Sequence, residues 1–308
     1  MADTRQYILN TLTYFDIFHY PLLKEEILRF HGMDGIAHQH IEECIDQLVE
    51  DQCIFHLGEF YSLHNDSSLA TRRQEGNRLA IEQMKTAHRA AVILSRFPYV
   101  RGLAISGSLS KNYCTEKTDI DFFIITETGR LWIARTLMHL YKKFTFLTGK
   151  QKWFCMNYYV DEAGMEIKEK NIFTAMEIAT MLPMQGKRTL DNFHVFNGWV
   201  KNFLPKAVNS TATTPEIKKG IFGRLIEFLL NNRLGNWVDD RFMKITERRW
   251  KKKEVQQMRN DHGIVMGMMV GKHYSKPNPA FFQDKVVERY NAKLDSLSQF
   301  REVPVKVG

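Results

Sequence analysis

Residues 103–126 read LAISGSLSKNYCTEKTDIDFFIIT, two apolar runs around a polar middle. Leu103-Ala104-Ile105 has the composition of a buried strand, and Gly107-Ser108 breaks it. The chain returns as Asp119-Ile120-Asp121-Phe122-Phe123-Ile124-Ile125, whose β-branched and aromatic residues predict a second strand. Alternate side chains of a strand share a face, so Asp119 and Asp121 are expected together, about 7 Å apart, with Ile120 opposite. Paired carboxylates suit a hard divalent cation, and burying them without one costs on the order of several kcal/mol. Gly107 permits a tight turn and the close approach of an anion to the backbone. A helical turn starting near Ser108 would add free N–H groups, the Ser108 hydroxyl and the charge of Lys111 to a phosphate site.

A hydrophobic-Gly-Ser step, about ten residues, and then Asp-x-Asp in an apolar setting resembles the signature of the DNA polymerase beta-like nucleotidyltransferases. The matching positions are Gly107, Ser108, Asp119 and Asp121. The resemblance implies an α+β fold, a small mixed sheet with flanking helices. It further implies a nucleoside triphosphate as substrate and Mg2+ or Mn2+ held by the two aspartates. It also implies a third carboxylate on a nearby strand, for metal binding and for deprotonating the attacking hydroxyl. Two positions compete for that role. Glu166, in Met165-Glu166-Ile167, has apolar neighbours and reads as a strand residue after a turn at 161–164. Asn157, in Cys155-Met156-Asn157-Tyr158-Tyr159, lies on the preceding strand; its carbonyl can ligate a metal but cannot act as a base. Glu166 is preferred, giving Asp119, Asp121 and Glu166 as the expected catalytic and metal set. Gly107, Ser108 and Lys111 are the expected nucleotide contacts. If neither candidate serves, the site would bind nucleotide without turnover. Arg72, Arg73 and Arg78 precede the site and Arg130 and Arg135 follow it, as candidate phosphate readers. Glu177, on a helix starting near Asn171, is a candidate supporting group.

The rest of the chain divides around this middle. Its 308 residues are 44% apolar, enough for two or three domains. Residues 1–66 hold three basic and twelve acidic groups, a net charge of −9, so the remainder carries +17 of the chain's +8. Apolar residues at helical spacing (Tyr7, Ile8, Leu12, Phe15) predict a first helix, and Pro21 would open a second, running to about Phe30. A third is expected over 36–51, and Gly58 then separates the two strands of a hairpin. Three helices and a hairpin resemble a winged helix, which elsewhere reads DNA. The third helix has no Lys or Arg between Ile36 and Gln52, so it would be repelled by phosphates. DNA binding is therefore not expected, and a protein-contact role, within the chain or between chains, is.

Residues 71–97 predict a long connecting helix stopped by Pro98, completing a catalytic segment over 67–204. Residues 205–308 read as a basic helical domain behind a linker at 209–215. Arg248-Arg249-Trp250-Lys251-Lys252-Lys253 is its densest basic run, a solvated helix end or an electrostatic platform for RNA, acidic lipid or the acidic first module. Arg259-Asn260-Asp261-His262 lacks the spacing of a ribonuclease Arg–His pair, and His273 to Pro277 reads as a loop. Four cysteines without a CxxC pair, no apolar run near ~20 residues and no leader pattern in MADTRQYILN make a cytoplasmic, non-spanning protein the expectation.

Overall fold

Strand period two sorts the 103–126 stretch onto two faces of one sheet. In the computed structural model, which describes residues 2–149, 151–259, 265, 267–277 and 282–299, both apolar runs are strands. The Arg259–His262 stretch and the end of the C-terminal region therefore lie largely outside the described residues.

The acidic N-terminal region folds as α1 (Ala2–Asp16), β1 (Leu22–Leu23), α2 (Lys24–Phe30), α3 (His38–Glu50), β2 (Phe55–Leu57) and β3 (Phe60–Ser62). The three strands pair in the order β1-β3-β2, and Gly58 supplies the hairpin turn at φ +70°. Pro21 does not open α2; it precedes β1, and Glu26 Oε2 accepts the Leu23 N–H ahead of the helix. α3 buries Ile41, Cys44, Ile45 and Leu48 and leaves Glu43, Asp46 and Glu50 exposed, so its outward face is acidic.

A 29-residue helix, α4 (Ser67–Ser95), follows; Asp66 caps it by accepting the Ser68 N–H. The central sheet begins with β4 (Val100–Ile105) and β5 (Asp121–Thr126), an antiparallel pair. α5 (Leu131–Thr145) crosses over to β6 (Cys155–Asp161), parallel to β5. After α6 (Ile172–Thr180), β7 (Leu182–Gln185) pairs antiparallel with the free edge of β4, and α7 (Lys187–Phe196) follows it. Then come α8 (Ile221–Leu230), α9 (Arg233–Val255), β8 (Met268–Val270), β9 (Tyr274–Pro277) and α10 (Phe282–Gln299). The sheet order is β7-β4-β5-β6-β9-β8.

Leu103, Ile105, Phe122 and Ile124 face a core shared with α4 and α5, including Ala87, Ala91 and Trp132. Ala104, Phe123 and Ile125 face the opposite core, with Met176 of α6 and Phe193 of α7. That second core runs on into α1 and α2 through Phe15, Ile27 and Phe30, so the N-terminal region shares its interior with the sheet. Polar contacts tie the same seam. Arg73, about 1% exposed, donates to the Pro21 carbonyl and to Glu26 and lies 3.7 Å from the Tyr20 ring centre. Arg29 reaches Ala207 O at 2.6 Å, and Lys293 of α10 pairs with Asp16 at 2.5 Å.

The C-terminal region is not helical throughout. His273 to Pro277, read as a loop, contributes β9, whose Tyr274 and Ser275 pair with Val160 and Tyr159. The short polar run YSKP carries little strand signal, and its place is fixed by pairing with β6 on one side and β8 on the other. The 209–215 stretch is likewise no free linker. Asn209 Nδ2 donates to the Thr180 and Met181 carbonyls, and Pro215 O accepts the Gly186 N–H. No helix among the described residues is long and apolar enough to cross a membrane.

Candidate functional site

The Gly-Ser turn and the Asp-x-Asp segment meet where β4 ends and β5 begins. Ser106 N donates to Asp121 O at 2.9 Å, which closes the turn onto the strand. Gly107 follows at φ +69°, a conformation glycine adopts without penalty. A Cβ there would stand 2.6 Å from Asp121 Oδ2, so only glycine lets the turn lie against the carboxylate. Ser108 begins a single turn of 3-10 helix over Leu109–Lys111, and its carbonyl accepts from Lys111 N and Tyr113 N. Ser110 Oγ donates to Gly107 O at 2.8 Å and holds the loop's shape.

Asp121 opens β5, while Asp119 stands before the strand in an irregular segment. The expected alternation along one strand therefore does not place the two acids. A Thr115–Thr118 turn and a Gln83 bond to Thr118 O pin the loop, and Ile120, 1% exposed, anchors it in the α4 core. Asp119 nevertheless acts on Asp121. Burial, with Asp119 and Glu177 adding negative charge, pushes the Asp121 carboxyl up to about 7, against the pull of neighbouring Cys155 and Lys142. The same surroundings raise the thiols: Cys114 to about 11, through burial first and Asp121 second, and Cys155 well above its usual value.

β6 places Asn157, and not Glu166, beside Asp121. In its register with β5, Phe122 pairs with Met156 and Phe123 with Tyr158, so Asn157 is an extra residue, a bulge. Bulges re-aim side chains, and this one sends Asn157 Nδ2 to Asp121 Oδ1 at 2.6 Å. Cys155 Sγ donates to Asn157 Oδ1 at 3.1 Å, fixing the amide's orientation. Glu166 is elsewhere. It follows Asp161, the end of β6 opposite the Cys155 pairing with Asp121. It is not on a strand, and Lys168 and Lys170 each pair with it at 2.8 Å, holding its carboxyl down at about 2. The local alternation Met165-Glu166-Ile167 imitates a strand because the two apolar residues are buried while the chain itself turns.

Lys111 is close to the site but already engaged. Its Nζ pairs with Glu177 of α6 at 2.7 Å and donates to Gly107 O at 3.3 Å. Glu177 is thus the residue that sequence reading undervalued; its signal is a lone acid in the otherwise uncharged helix IFTAMEIAT. The other candidate phosphate readers are committed elsewhere. Arg72 caps the Phe18 and His19 carbonyls, Arg73 binds α2, and Arg78 pairs with Glu75. Arg130 bonds Asn236 at 2.6 Å, and Arg135 is buried over Trp132 and Tyr159. Behind Lys111 lies a cavity of about 270 Å³ between the N-terminal helices and the Gly-Ser loop. Its walls include Tyr20, Arg29, Phe30, Ser110, Lys111 and Asn112.

Among the described residues no three His, Cys, Asp or Glu side chains gather as a metal site. What is assembled is a pair of acids, one raised by burial, beside a glycine turn and a Lys–Glu ion pair. The pair fits a divalent cation in one respect: the Asp121 carboxyl is raised by burial and by negative neighbours, both of which a cation would offset. No protein-family model, curated protein or solved structure matches the chain.

Proposed function

We propose that the chain is a Mg2+- or Mn2+-dependent nucleotidyltransferase of the DNA polymerase beta-like class, taking a nucleoside triphosphate. Asp119 and Asp121 would hold the metal, and Gly107 and Ser108 would receive the phosphates. One observation carries this reading: the glycine of the turn lies against the acid so closely that a Cβ would stand 2.6 Å from Asp121 Oδ2. A phosphate on that turn and a metal on that acid would be immediate neighbours. When bound, the metal supplies charge neutralisation at the phosphoryl oxygens. The chain's own part is positioning. The Gly107 backbone admits the anion, Ser110 holds the loop, and Lys111, paired with Glu177, props the turn by donating to the Gly107 carbonyl. The N-terminal region, with its winged-helix-like element order, serves as a wall of the cavity beside Lys111 rather than as a DNA reader.

Asn157 favours a second reading. It stands on Asp121 where a third carboxylate would deprotonate the acceptor, and an amide cannot do so. On that reading the chain binds nucleotide without turning it over. Calorimetry with ATP, GTP, CTP and UTP in Mg2+ tests what the two readings share. Binding of at least one nucleotide, lost in Gly107→Val, is the expected result; no binding of any nucleotide by the wild-type chain overturns both. Pyrophosphate release from a bound nucleotide then separates transfer from sensing.

A further inference from the structure

α8 is laid on the body with its apolar side outward. Its inward side is Gly223, Ile226, Glu227 and Leu230. A Cβ on Gly223 would stand 2.9 Å from the Arg96 carbonyl oxygen, so the helix is pressed close. Glu227, its one acid, accepts the Tyr99 N–H and pairs with Arg101 and Lys219 beneath. The outward arc carries Ile221, Phe222, Leu225, Phe228 and Leu229, with Ile221 87% and Phe228 82% exposed. A helix in water normally shows the opposite arrangement. The same surface continues into the first turns of α9 as Leu234 and Trp237.

Beyond Trp237, the outward stripe of α9 becomes basic. Arg241, Lys244, Arg248 and Lys252 recur at three- and four-residue spacing, all exposed. Three acids of this stretch are buried or paired, and a fourth, Glu254, is exposed in the last turn, two residues from Lys252. Asp239 is buried and accepts the Trp132 and Ile133 N–H groups, Asp240 pairs with Lys272, and Glu247 pairs with Lys251. An apolar face thus adjoins a cationic stripe that contains no carboxylate.

We propose that α8 and α9 form a docking surface for an anionic lipid bilayer. The apolar side chains of α8, with Leu234 and Trp237, enter the acyl boundary, and the α9 stripe lies against the headgroups. Charge decides between occupants. A second copy pairing through this same face would set the basic stripe against itself. An RNA would satisfy the stripe and leave the apolar arc in water. An anionic bilayer satisfies both. With no helix among the described residues able to span, the chain would lie on the bilayer. The surface sits at the Tyr99–Arg101 end of β4, and the Gly107 turn leaves the other end, so its variants do not touch the proposed nucleotide site.

The test is flotation of the full chain with phosphatidylcholine vesicles, with and without about 30 mol % phosphatidylglycerol. Binding to the anionic vesicles, weakened at about 0.5 M salt, is expected. Leu225→Ser/Phe228→Ser and Arg241→Glu/Lys244→Glu should each reduce it by about tenfold or more while leaving the melting temperature unchanged. Bromolipid quenching that disappears in Trp237→Phe gives a second readout that folding defects do not imitate. Three results would overturn the proposal: no flotation with anionic vesicles, flotation indifferent to both variant pairs, or a dimer in light scattering that the α8 pair dissociates. RNA binding lost with the stripe, in a chain that ignores vesicles, would also overturn it.

Discussion

Asp121 and Asp161 stand near opposite ends of neighbouring parallel strands and have opposite surroundings. Asp161 ends β6 wholly buried, and four donors reach its carboxylate: the backbone N–H groups of Gly129, Ala163 and Gly164, and His273 Nδ1. Because a carboxylate only accepts, the last contact fixes Nδ1 as the protonated nitrogen. Asp121 begins β5 with one amide donor from Asn157, the negative charge of Asp119 and Glu177 nearby, and a glycine left open against it. A buried acid among donors holds a fold together. A half-buried acid among acids carries a cost that a cation would relieve, and such groups gather at functional sites. This contrast is the ground for taking the β5 end as the candidate site and the β6 end as its support.

The largest expected effect lies at the supporting end. Asp161→Ala would remove the buried charged acceptor that four part-buried donors share ahead of α5 and β9, and should destabilise the fold by about 3–5 kcal/mol. The midpoint of urea unfolding measures it. A loss below about 1 kcal/mol would remove the distinction between the two acids.

Asp121 should behave in the reverse sense. Its folded carboxyl is raised to about 7 from an unfolded value near 3.8, so the folded state holds a proton that the unfolded state has lost. Its favourable contribution is complete below the unfolded value and declines as pH rises through about 7. Urea melts without metal should therefore show stability falling by on the order of a few kcal/mol between those limits, a slope absent in Asp121→Asn. Mg2+ should restore stability at the alkaline end in the wild type alone. Equal slopes in the two proteins would show that Asp121 is not the strained acid.

The parts of this picture legible in the sequence are those governed by short-range periodicity. The β4–turn–β5 unit, α5, and the helices and hairpin of the first 62 residues all follow from apolar spacing and turn residues. So does the conjunction of Gly107 with Asp121, since both lie within one strand–turn–strand. What the sequence does not carry is register and long-range pairing. The bulge that delivers Asn157 depends on how β6 meets β5, and β9 is a strand because it fits between β6 and β8. Arg73 shows the same limit: one more base on a helix face in sequence, it is buried across the seam between α4 and α2.

A smaller effect is expected from Asn157→Asp, which sharpens the contrast by making the β5 end more acidic. Without metal, a third carboxylate beside Asp121 should cost about 1 kcal/mol at alkaline pH. With metal, the extra charged oxygen should tighten Mg2+ binding by about tenfold, read by calorimetry. A gain in pyrophosphate release in the same variant would mean that the wild-type amide is what withholds turnover. Unchanged Mg2+ affinity would place the metal away from the bulge.

The smallest effect should come from Glu166→Gln. This acid has the sequence surroundings of a catalytic carboxylate, yet it lies on the turn that follows β6, with its charge answered by Lys168 and Lys170. Those two lysines hold its carboxyl down at about 2, which makes it a weaker base than an unpaired glutamate. Ion pairs of this exposed kind are screened by solvent and salt and contribute little. Melting temperature, Mg2+ affinity and nucleotide binding should all match the wild type. A loss of nucleotide binding in Glu166→Gln, with Asn157→Ala behaving normally, would move the functional end of the sheet to the β6 terminus and reverse the assignment of the two acids.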